Sequence, residues 1–83
     1  MFTGIIETLG TVKQLTTVKD NLDITIESSI TNQLKIDQSV AHNGVCLTVV
    51  EINDDQYKVT AIKETLDKTN IGSLSKSDFV NLE

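Results

Sequence analysis

Hydrophobic and polar residues alternate along much of this chain. In "NLDITIES", residues 21–28, the side chains of Leu22, Ile24 and Ile26 occupy every second position, with polar residues between them. This period of two is typical of a β-strand that has one face in a core and the other in solvent. β-Branched residues are frequent, proline is absent, and turn residues recur at short intervals. The pattern predicts an all-β sandwich or barrel.

The same alternation and the turn residues between its segments place the individual strands. "GIIETLGTVKQL", residues 4–15, predicts a first strand that bends at Gly10. The other predicted strands are 21–28, Ser39–His42, Val45–Ile52, Gln56–Ile62 and 78–83. Tight turns are expected at Asn43-Gly44 and within "NDD", residues 53–55. Six such strands favour a small antiparallel Greek-key barrel, because closure of the sheet removes exposed edges.

Two segments depart from the strand pattern and predict short helices. "SITNQLKI", residues 29–36, is expected to form a helical turn with Ser29 as its N-cap and Leu34 packed inward. "KETLDKTNIG" predicts a helix over Thr65–Asn70 that Gly72 ends. Both helices are short, so the fold class remains all-β.

Length and composition indicate one small domain, residues 1–83, that depends on a partner. Hydrophobic residues make up 39% of the 83 residues and aromatic residues 4%, which is low for a self-sufficient core. A single cysteine cannot form an internal disulfide. The chain also stops inside a predicted strand. We therefore expect it to be half of a longer protein, and to gain stability from a second copy of itself or from a segment outside this sequence.

Charge and hydropathy exclude several classes of partner. The chain has seven basic and twelve acidic residues, a net charge of −5, and no cluster of basic residues to follow a phosphate backbone. Its apolar runs are too short to cross a membrane, and its first residues lack the features of a signal peptide. The single cysteine is typical of a reducing compartment. These features predict a cytoplasmic, acidic module that binds neither nucleic acid nor membrane.

The only cysteine and the only histidine, Cys46 and His42, lie four residues apart around the Asn-Gly turn. A zinc site needs three or four ligands of these types, so no metal site is predicted. The two side chains would form a nucleophile and base if the hairpin brought them face to face. Alternatively, Cys46 is a small buried hydrophobic residue and His42 a solvated residue beside the turn. The second interpretation is favoured, since nothing in the sequence would lower the pKa of the thiol.

Hydroxyl side chains are frequent at the ends of the predicted strands. They are Thr3, Ser39, Thr48, Thr60, Thr65 and Thr69. Threonine is common in strands because of its β-propensity, which explains such a set without any function. The functional alternative is a surface groove for a polyol or a polar ring, in which hydroxyls donate and accept hydrogen bonds. A barrel of this size is filled by its own side chains, so a ligand would lie outside it.

Three stretches carry a resemblance to a known family. "MFTGIIE", "SVAHNGVCLTVVEI" and "KETLDKTNIGSL" followed by "DFVNLE" resemble the N-terminal barrel of riboflavin synthase, in that family's order and spacing. The resemblance covers nearly the whole chain, and residues 14–36 contribute little to it. Val45 stands where some family members carry a second cysteine, so a thiol at this position is not essential.

The resemblance implies a fold, a reaction and an assembly. Riboflavin synthases are expected to have two similar six-stranded barrels in tandem and to assemble as trimers. They transfer a four-carbon unit between two molecules of 6,7-dimethyl-8-ribityllumazine, which yields riboflavin and a ribitylamino-pyrimidinedione. The two substrates act as donor and acceptor, so no metal or redox cofactor is implied. Each active site is expected between the N-terminal barrel of one subunit and the C-terminal barrel of another.

The resemblance also implies site residues. Phe2 would pack at the entrance, and Ser39 and Cys46 would lie near the reacting carbons; these are the candidate catalytic residues. His42 receives no role in proton transfer. The implied contacts with substrate are Thr3, Gly4, Ile5, Ile6, Val45, Thr48, Thr60, Ala61, Ile62, Lys63, Glu64, Thr65 and Thr69. Main-chain groups near 61–65 would pair with the dione edge, and hydroxyls with the ribityl chain.

Without the second barrel, this chain is expected to bind lumazine or flavin with little or no turnover and to form a dimer. The alternative is a non-catalytic lumazine- or flavin-binding relative, such as the luminescence antenna proteins built on the same barrels. An intact Cys46 in "NGVCLTV" and the sequence "KETLDKTN" resemble the synthase more closely. A β-barrel that serves only as an interaction module remains a third interpretation.

Overall fold

The computed structural model describes residues 8–82, in which six strands alternate with short turns and one α-helix. The strands are β1 (Thr8–Val18), β2 (Asn21–Glu27), β3 (Ser39–His42), β4 (Val45–Asn53), β5 (Gln56–Ala61) and β6 (Phe79–Leu82). The helix is α1 (Lys63–Lys68), and 3-10 turns occupy Thr31–Gln33 and Ile71–Ser73. The bounds predicted for β3 are confirmed. Those of β4 and β5 each differ by one residue at the C-terminal end.

The six strands form one closed antiparallel barrel in the order β1-β2-β5-β4-β3-β6. β1 closes the barrel because it pairs with β2 along one edge and with β6 along the other. β3 and β6 meet only near their ends, where His42 lies opposite Leu82. The predicted six-stranded antiparallel barrel is confirmed, while the Greek-key label for its connections stays a prediction.

The barrel is filled by side chains from alternate positions of every strand, as its small size requires. Within β2, Ile24 and Ile26 are buried while Asp23 and Thr25 lie on the outer face. The buried hydrophobic core consists of Val12, Ile24, Ile26, Val40, Leu47, Val49, Tyr57, Val59, Ala61, Ile71, Val80 and Leu82. With the interior occupied, a ligand has only the outer surface to bind.

Gly10 lies inside β1 opposite Val80, and the pairing with β6 continues through it. The bend at this glycine stays a prediction; the register of β1 with β2 shifts farther along, between Val12 and Gln14. Gly10 permits close packing: a Cβ there would lie 2.6 Å from the Ile26 side chain and 2.9 Å from that of Leu82.

The Asn43-Gly44 turn is confirmed and has the backbone that its sequence demands. Both residues have positive φ, 52° and 86°, as a type I′ hairpin turn requires. Asn43 also links the turn to β6, because its N–H donates to the Asn81 carbonyl and its side-chain oxygen accepts the Asn81 N–H, both at 2.8 Å. The end of the β3–β4 hairpin is thereby fixed against the last strand.

The helix lies two residues earlier than the predicted Thr65–Asn70. It begins at Lys63 because β5 ends at Ala61, and Ile62 has the extended backbone of an N-cap. Thr69 is the C-cap, and its hydroxyl donates to the Thr65 carbonyl at 2.7 Å. The prediction that Gly72 ends this helix is therefore wrong; Gly72 lies in the following 3-10 turn.

The first predicted helical turn is reduced to the 3-10 turn Thr31–Gln33, and Ser29 does not cap it. Its N-cap is Ile30, and no side chain makes a capping hydrogen bond. Ser28 and Thr31 instead share a buried hydroxyl contact of 3.0 Å, and Thr31 donates to the Asp55 carbonyl at 2.9 Å. Leu34 packs against the core as predicted.

Candidate functional site

A row of polar residues crosses four neighbouring strands on the outside of the barrel. Ser39 of β3 lies opposite Thr48 of β4, Thr48 lies opposite Thr60 of β5, and Thr60 lies opposite Asp23 of β2. We call these four residues the outer row. Ser39 and Thr48 are exposed, whereas Thr60 and Asp23 are half-buried. Neighbouring strands lie about 4.8 Å apart, so the outer row is about 14 Å long, enough for a fused ring and its side chain.

The half-buried end of the outer row contains a short hydrogen bond. The Thr60 hydroxyl donates to the Asp23 carboxylate at 2.7 Å, between Oγ1 and Oδ1. The bond joins β5 to β2 on the outer face. It directs the single hydroxyl hydrogen of Thr60 away from Thr48 and toward the carboxylate.

The start of α1 continues the site beyond the end of β5. Ile62 leaves the barrel with its side chain 53% exposed, and Lys63 and Glu64 are exposed while Thr65 is half-buried. The first N–H groups of any α-helix lack partners within the helix. The exposed apolar side chain of Ile62 therefore lies one residue beyond Ala61. The main-chain N–H donors follow from Lys63 onward.

Cys46 and His42 do not form a pair. In the hairpin His42 lies opposite Val45, and Cys46 lies opposite Ala41. Successive side chains of a strand point to opposite faces, so the His42 side chain lies inside the barrel and that of Cys46 outside. The interpretation that the sequence favoured is wrong on both residues: Cys46 is exposed rather than buried, and His42 is 1% exposed rather than solvated.

His42 is a structural residue of the core. Its Nδ1 lies 2.9 Å from the Val40 carbonyl oxygen, and its Nε2 lies 2.8 Å from the Tyr57 hydroxyl. A carbonyl only accepts, so Nδ1 carries the hydrogen and the Tyr57 hydroxyl donates to Nε2. Burial lowers the pKa of His42 to about 4, against the smaller raising effect of the bond to Val40. The ring is neutral at pH 7 and does not contact the outer row.

The comparison with protein families decides what kind of barrel this is. The model of the lumazine binding domain matches residues 3–83. The chain belongs to the lumazine-binding domain family. Its relatives include the riboflavin synthase of Bacillus amyloliquefaciens, 39% identical over 84 residues that cover 100% of this chain and 39% of that protein. The riboflavin synthase of Escherichia coli (strain K12) is 41% identical over 87 residues, covering 100% of this chain and 40% of that protein.

This lumazine-binding domain thus spans about two fifths of the length of the curated relatives it matches, in their N-terminal half. Solved structures give the same result for the fold. LumP complexed with riboflavin superposes with a TM-score of 0.92 at 28% identity, covering 100% of this chain and 46% of that chain. LumP complexed with 6,7-dimethyl-8-(1'-D-ribityl) lumazine gives 0.90 at 30% identity, covering 98% and 47%.

The structure brings together most of the described site candidates of this lumazine-binding domain. Cys46 lies two residues before Thr48 on the same outer face, and α1 begins three residues after Thr60. Two candidates lie apart. Val45 packs against the core from inside the barrel, and the Ala61 side chain is fully buried, so only its main chain can reach a ligand.

Three further groups of candidates differ in what they can offer a ligand. The Thr69 hydroxyl, besides its bond to Thr65, accepts the Ile71 N–H at 3.2 Å, so it is engaged in the helix end. Glu64 and Lys63 form exposed ion pairs along α1 with Lys68 and Asp67. Phe2, Thr3, Gly4, Ile5 and Ile6 lie outside the described residues.

Asp23 is a member of the outer row that sequence reasoning missed. Its position in the alternating pattern of β2 shows that its side chain points outward, but only the register between β2 and β5 places it beside Thr60.

Across residues 8–82, no group of three or more histidine, cysteine or acidic residues could hold a metal ion. In the same range no helix has the length and apolar character needed to cross a membrane.

A depression of about 340 Å³ lies near the junction of β1 and β2, away from the outer row. Its lining residues are Leu9, Thr11, Glu27, Ser28, Ser29 and Asp55. It includes none of the site candidates, and it is wide open to solvent. Five of its six lining residues are polar, but none belongs to the outer row or to α1.

Proposed function

We propose that this domain binds 6,7-dimethyl-8-ribityllumazine and riboflavin on the outer row and at the start of α1. Membership of the lumazine-binding family, together with three adjacent hydroxyl residues across β3, β4 and β5, supports this assignment. The full protein that contains the domain is proposed to be a riboflavin synthase, with relatives of that name at 39% and 41% identity.

The groups around the outer row match the parts of such a ligand. Main-chain N–H groups at the start of α1 would donate to the dione oxygens of the ring, which only accept. Hydroxyls of Thr48, Thr60 and Thr65 would hold the ribityl chain. Exposed Ile62 would offer the ring an apolar contact. Ser39 and Cys46 would lie near the reacting carbons at the other end of the row.

In the proposed reaction two lumazine molecules meet, and a four-carbon unit passes from one to the other. The C7 methyl group of one loses a proton, and the resulting carbanion attacks the second molecule; riboflavin and a ribitylamino-pyrimidinedione are released. The two molecules serve as donor and acceptor, which is why no metal or redox cofactor is proposed. Holding two rings face to face makes the encounter effectively intramolecular, and such positioning contributes much of the rate.

Replacing Thr48 by Val tests the location of the site. The change removes a hydroxyl from the centre of the outer row at nearly constant volume, and we expect riboflavin to bind roughly tenfold more weakly. Quenching of riboflavin fluorescence during titration measures the Kd. Thr25→Val is the matched control, since Thr25 lies on the outer face of β2 opposite Lys58, away from Thr48. Equal Kd values for wild type and Thr48→Val would place the ligand elsewhere.

We further propose that this chain pairs with a second copy and turns over little lumazine alone, whereas the two-barrel parent forms trimers. The proposal is supported by exposed apolar side chains, among them Phe79 at 68% and Leu9 at 56%. Sedimentation of the chain with riboflavin is expected to show a dimer; a monomer throughout would contradict the pairing. Appreciable riboflavin formation by the chain alone would contradict the low turnover.

The location we propose for the protein is a reducing cytoplasm, which the free, exposed thiol of Cys46 supports.

A non-catalytic flavin- or lumazine-binding protein is the second candidate. The LumP complexes, which superpose with TM-scores of 0.90 and 0.92, are consistent with it, while the relatives named riboflavin synthase favour the first candidate. Both candidates predict binding by this chain, so binding alone does not separate them. Conversion of 6,7-dimethyl-8-ribityllumazine into riboflavin by the full-length protein would support the synthase, and binding without conversion would support the alternative.

A further inference from the structure

We propose that Asp23 is a positioning residue that fixes the Thr60 hydroxyl as a hydrogen-bond acceptor for the polyol chain of the ligand. The inference rests on the proposed function, because it assumes that a ribityl-bearing ligand lies on the outer row. It assigns a specificity role to a residue of β2, a strand that contributes none of the other proposed ligand contacts.

The hydrogen bond between the two side chains carries this inference. An ionised carboxylate can only accept, so the hydrogen in the 2.7 Å contact belongs to Thr60. A hydroxyl has one hydrogen and two lone pairs. With that hydrogen committed to Asp23, Thr60 presents only lone pairs to anything that lies over the row.

The surroundings of the pair keep this arrangement in place. Thr60 is flanked along β5 by Val59 and Ala61, both fully buried, which anchor its backbone. Asp23 precedes Ile24, which is 1% exposed and anchors β2 in the same way. Both members of the pair are themselves half-buried. A hydrogen bond to a carboxylate is also stronger than one between two neutral groups.

Because its hydrogen is bonded to Asp23, the Thr60 hydroxyl can only accept, and this determines which ligand groups it can bind. A dione oxygen is itself an acceptor and gains nothing from a hydroxyl that has no hydrogen to offer. A polyol hydroxyl can donate to Thr60 and still accept from a neighbour. Thr48, directly opposite Thr60 in β4, is placed to be that neighbour. The Asp23–Thr60 end of the outer row is therefore specific for the ribityl chain and not for the dione edge.

The test compares two flavins that differ only in this chain: riboflavin, and lumiflavin, which has a methyl group in place of ribityl. Asp23→Ala removes the acceptor and frees the Thr60 hydrogen, so we expect roughly tenfold weaker riboflavin binding and unchanged lumiflavin binding. Asp23→Asn keeps an acceptor oxygen and is expected to stay within about threefold of wild type for riboflavin. Thr25→Ala, on the same face of β2, is the control and should alter neither Kd.

The outcomes separate this inference from the proposed function. If wild type binds riboflavin but Asp23→Ala weakens riboflavin and lumiflavin equally, Asp23 acts on the ring or on the fold, and the positioning role is wrong. An Asp23→Ala variant with unchanged riboflavin affinity would also overturn it. If wild type binds neither flavin, the proposed function itself fails.

Discussion

Acidification from pH 7 to pH 4 is expected to lower the free energy of unfolding by about 3 kcal/mol through His42 alone. Burial lowers the pKa of this residue from 6.5 to about 4 in the folded protein. Below pH 6.5 the unfolded chain therefore binds a proton that the folded protein does not bind. The contribution of His42 is fully present above pH 6.5, declines as the pH falls toward 4, and changes no further below that.

The physical reason is that both ring nitrogens of His42 already have partners suited to the neutral form. The Val40 carbonyl accepts from Nδ1, and the Tyr57 hydroxyl donates to Nε2. Protonation of Nε2 would force Tyr57 to turn its hydrogen elsewhere and would place a charge inside the apolar barrel. Burial raises the pKa of Tyr57, so the phenol keeps its proton across this pH range.

Two measurements check the prediction. His42 is the only histidine, so its ring signals in an NMR titration are unambiguous, and they should shift with a midpoint near pH 4 in the folded protein. Urea unfolding between pH 7 and pH 4 should show a smaller loss of stability in His42→Gln than in wild type. A midpoint near 6.5 in the folded protein would show that the ring is accessible to protons and would contradict the prediction.

The alternation of side chains predicted the barrel well because a strand with one buried face has hydrophobic residues at every second position. β3 has its predicted bounds because the Asn43-Gly44 turn fixes where it ends. The sequence pattern does not locate the start of α1, because that start depends on where β5 leaves the sheet. That point is set by the pairing of Ala61 with Leu22 in β2, which is a tertiary contact.

The faces on which His42 and Cys46 lie follow from the length of the turn between them. A two-residue turn makes residues 42 and 45 opposite neighbours, and such neighbours share a face. Residue 46, one step farther, must then lie on the other face. The Asp23–Thr60 bond is different, since it joins residues 37 positions apart on strands that are not consecutive in the chain. Only the tertiary pairing of β2 with β5 sets that register.

Replacing Gly10 by Ala is expected to lower the free energy of unfolding by about 1–3 kcal/mol, the usual cost of overpacking a core. The added Cβ would lie 2.6 Å from Cγ2 of Ile26 and 2.9 Å from Cδ1 of Leu82. Ile26 and Leu82 are both fully buried, so neither side chain can move into solvent. β1, which closes the barrel through its pairs with β2 and β6, would have to shift.

Gly72→Ala is the matched control, because the nearest atom to a Cβ at Gly72 is Cδ2 of Leu66 at 3.6 Å, an ordinary contact. Urea unfolding of both variants compares a crowded glycine with an uncrowded one. Equal losses of unfolding free energy in the two variants would contradict the prediction that crowding at Gly10 destabilises the barrel. A double-mutant cycle locates the clash: Ile26→Ala should cost less in the Gly10→Ala background than in wild type, since it removes the methyl group that the new Cβ meets. Additive costs would assign the loss to the contact with Leu82 or to the backbone of β1 instead of to the contact with Ile26.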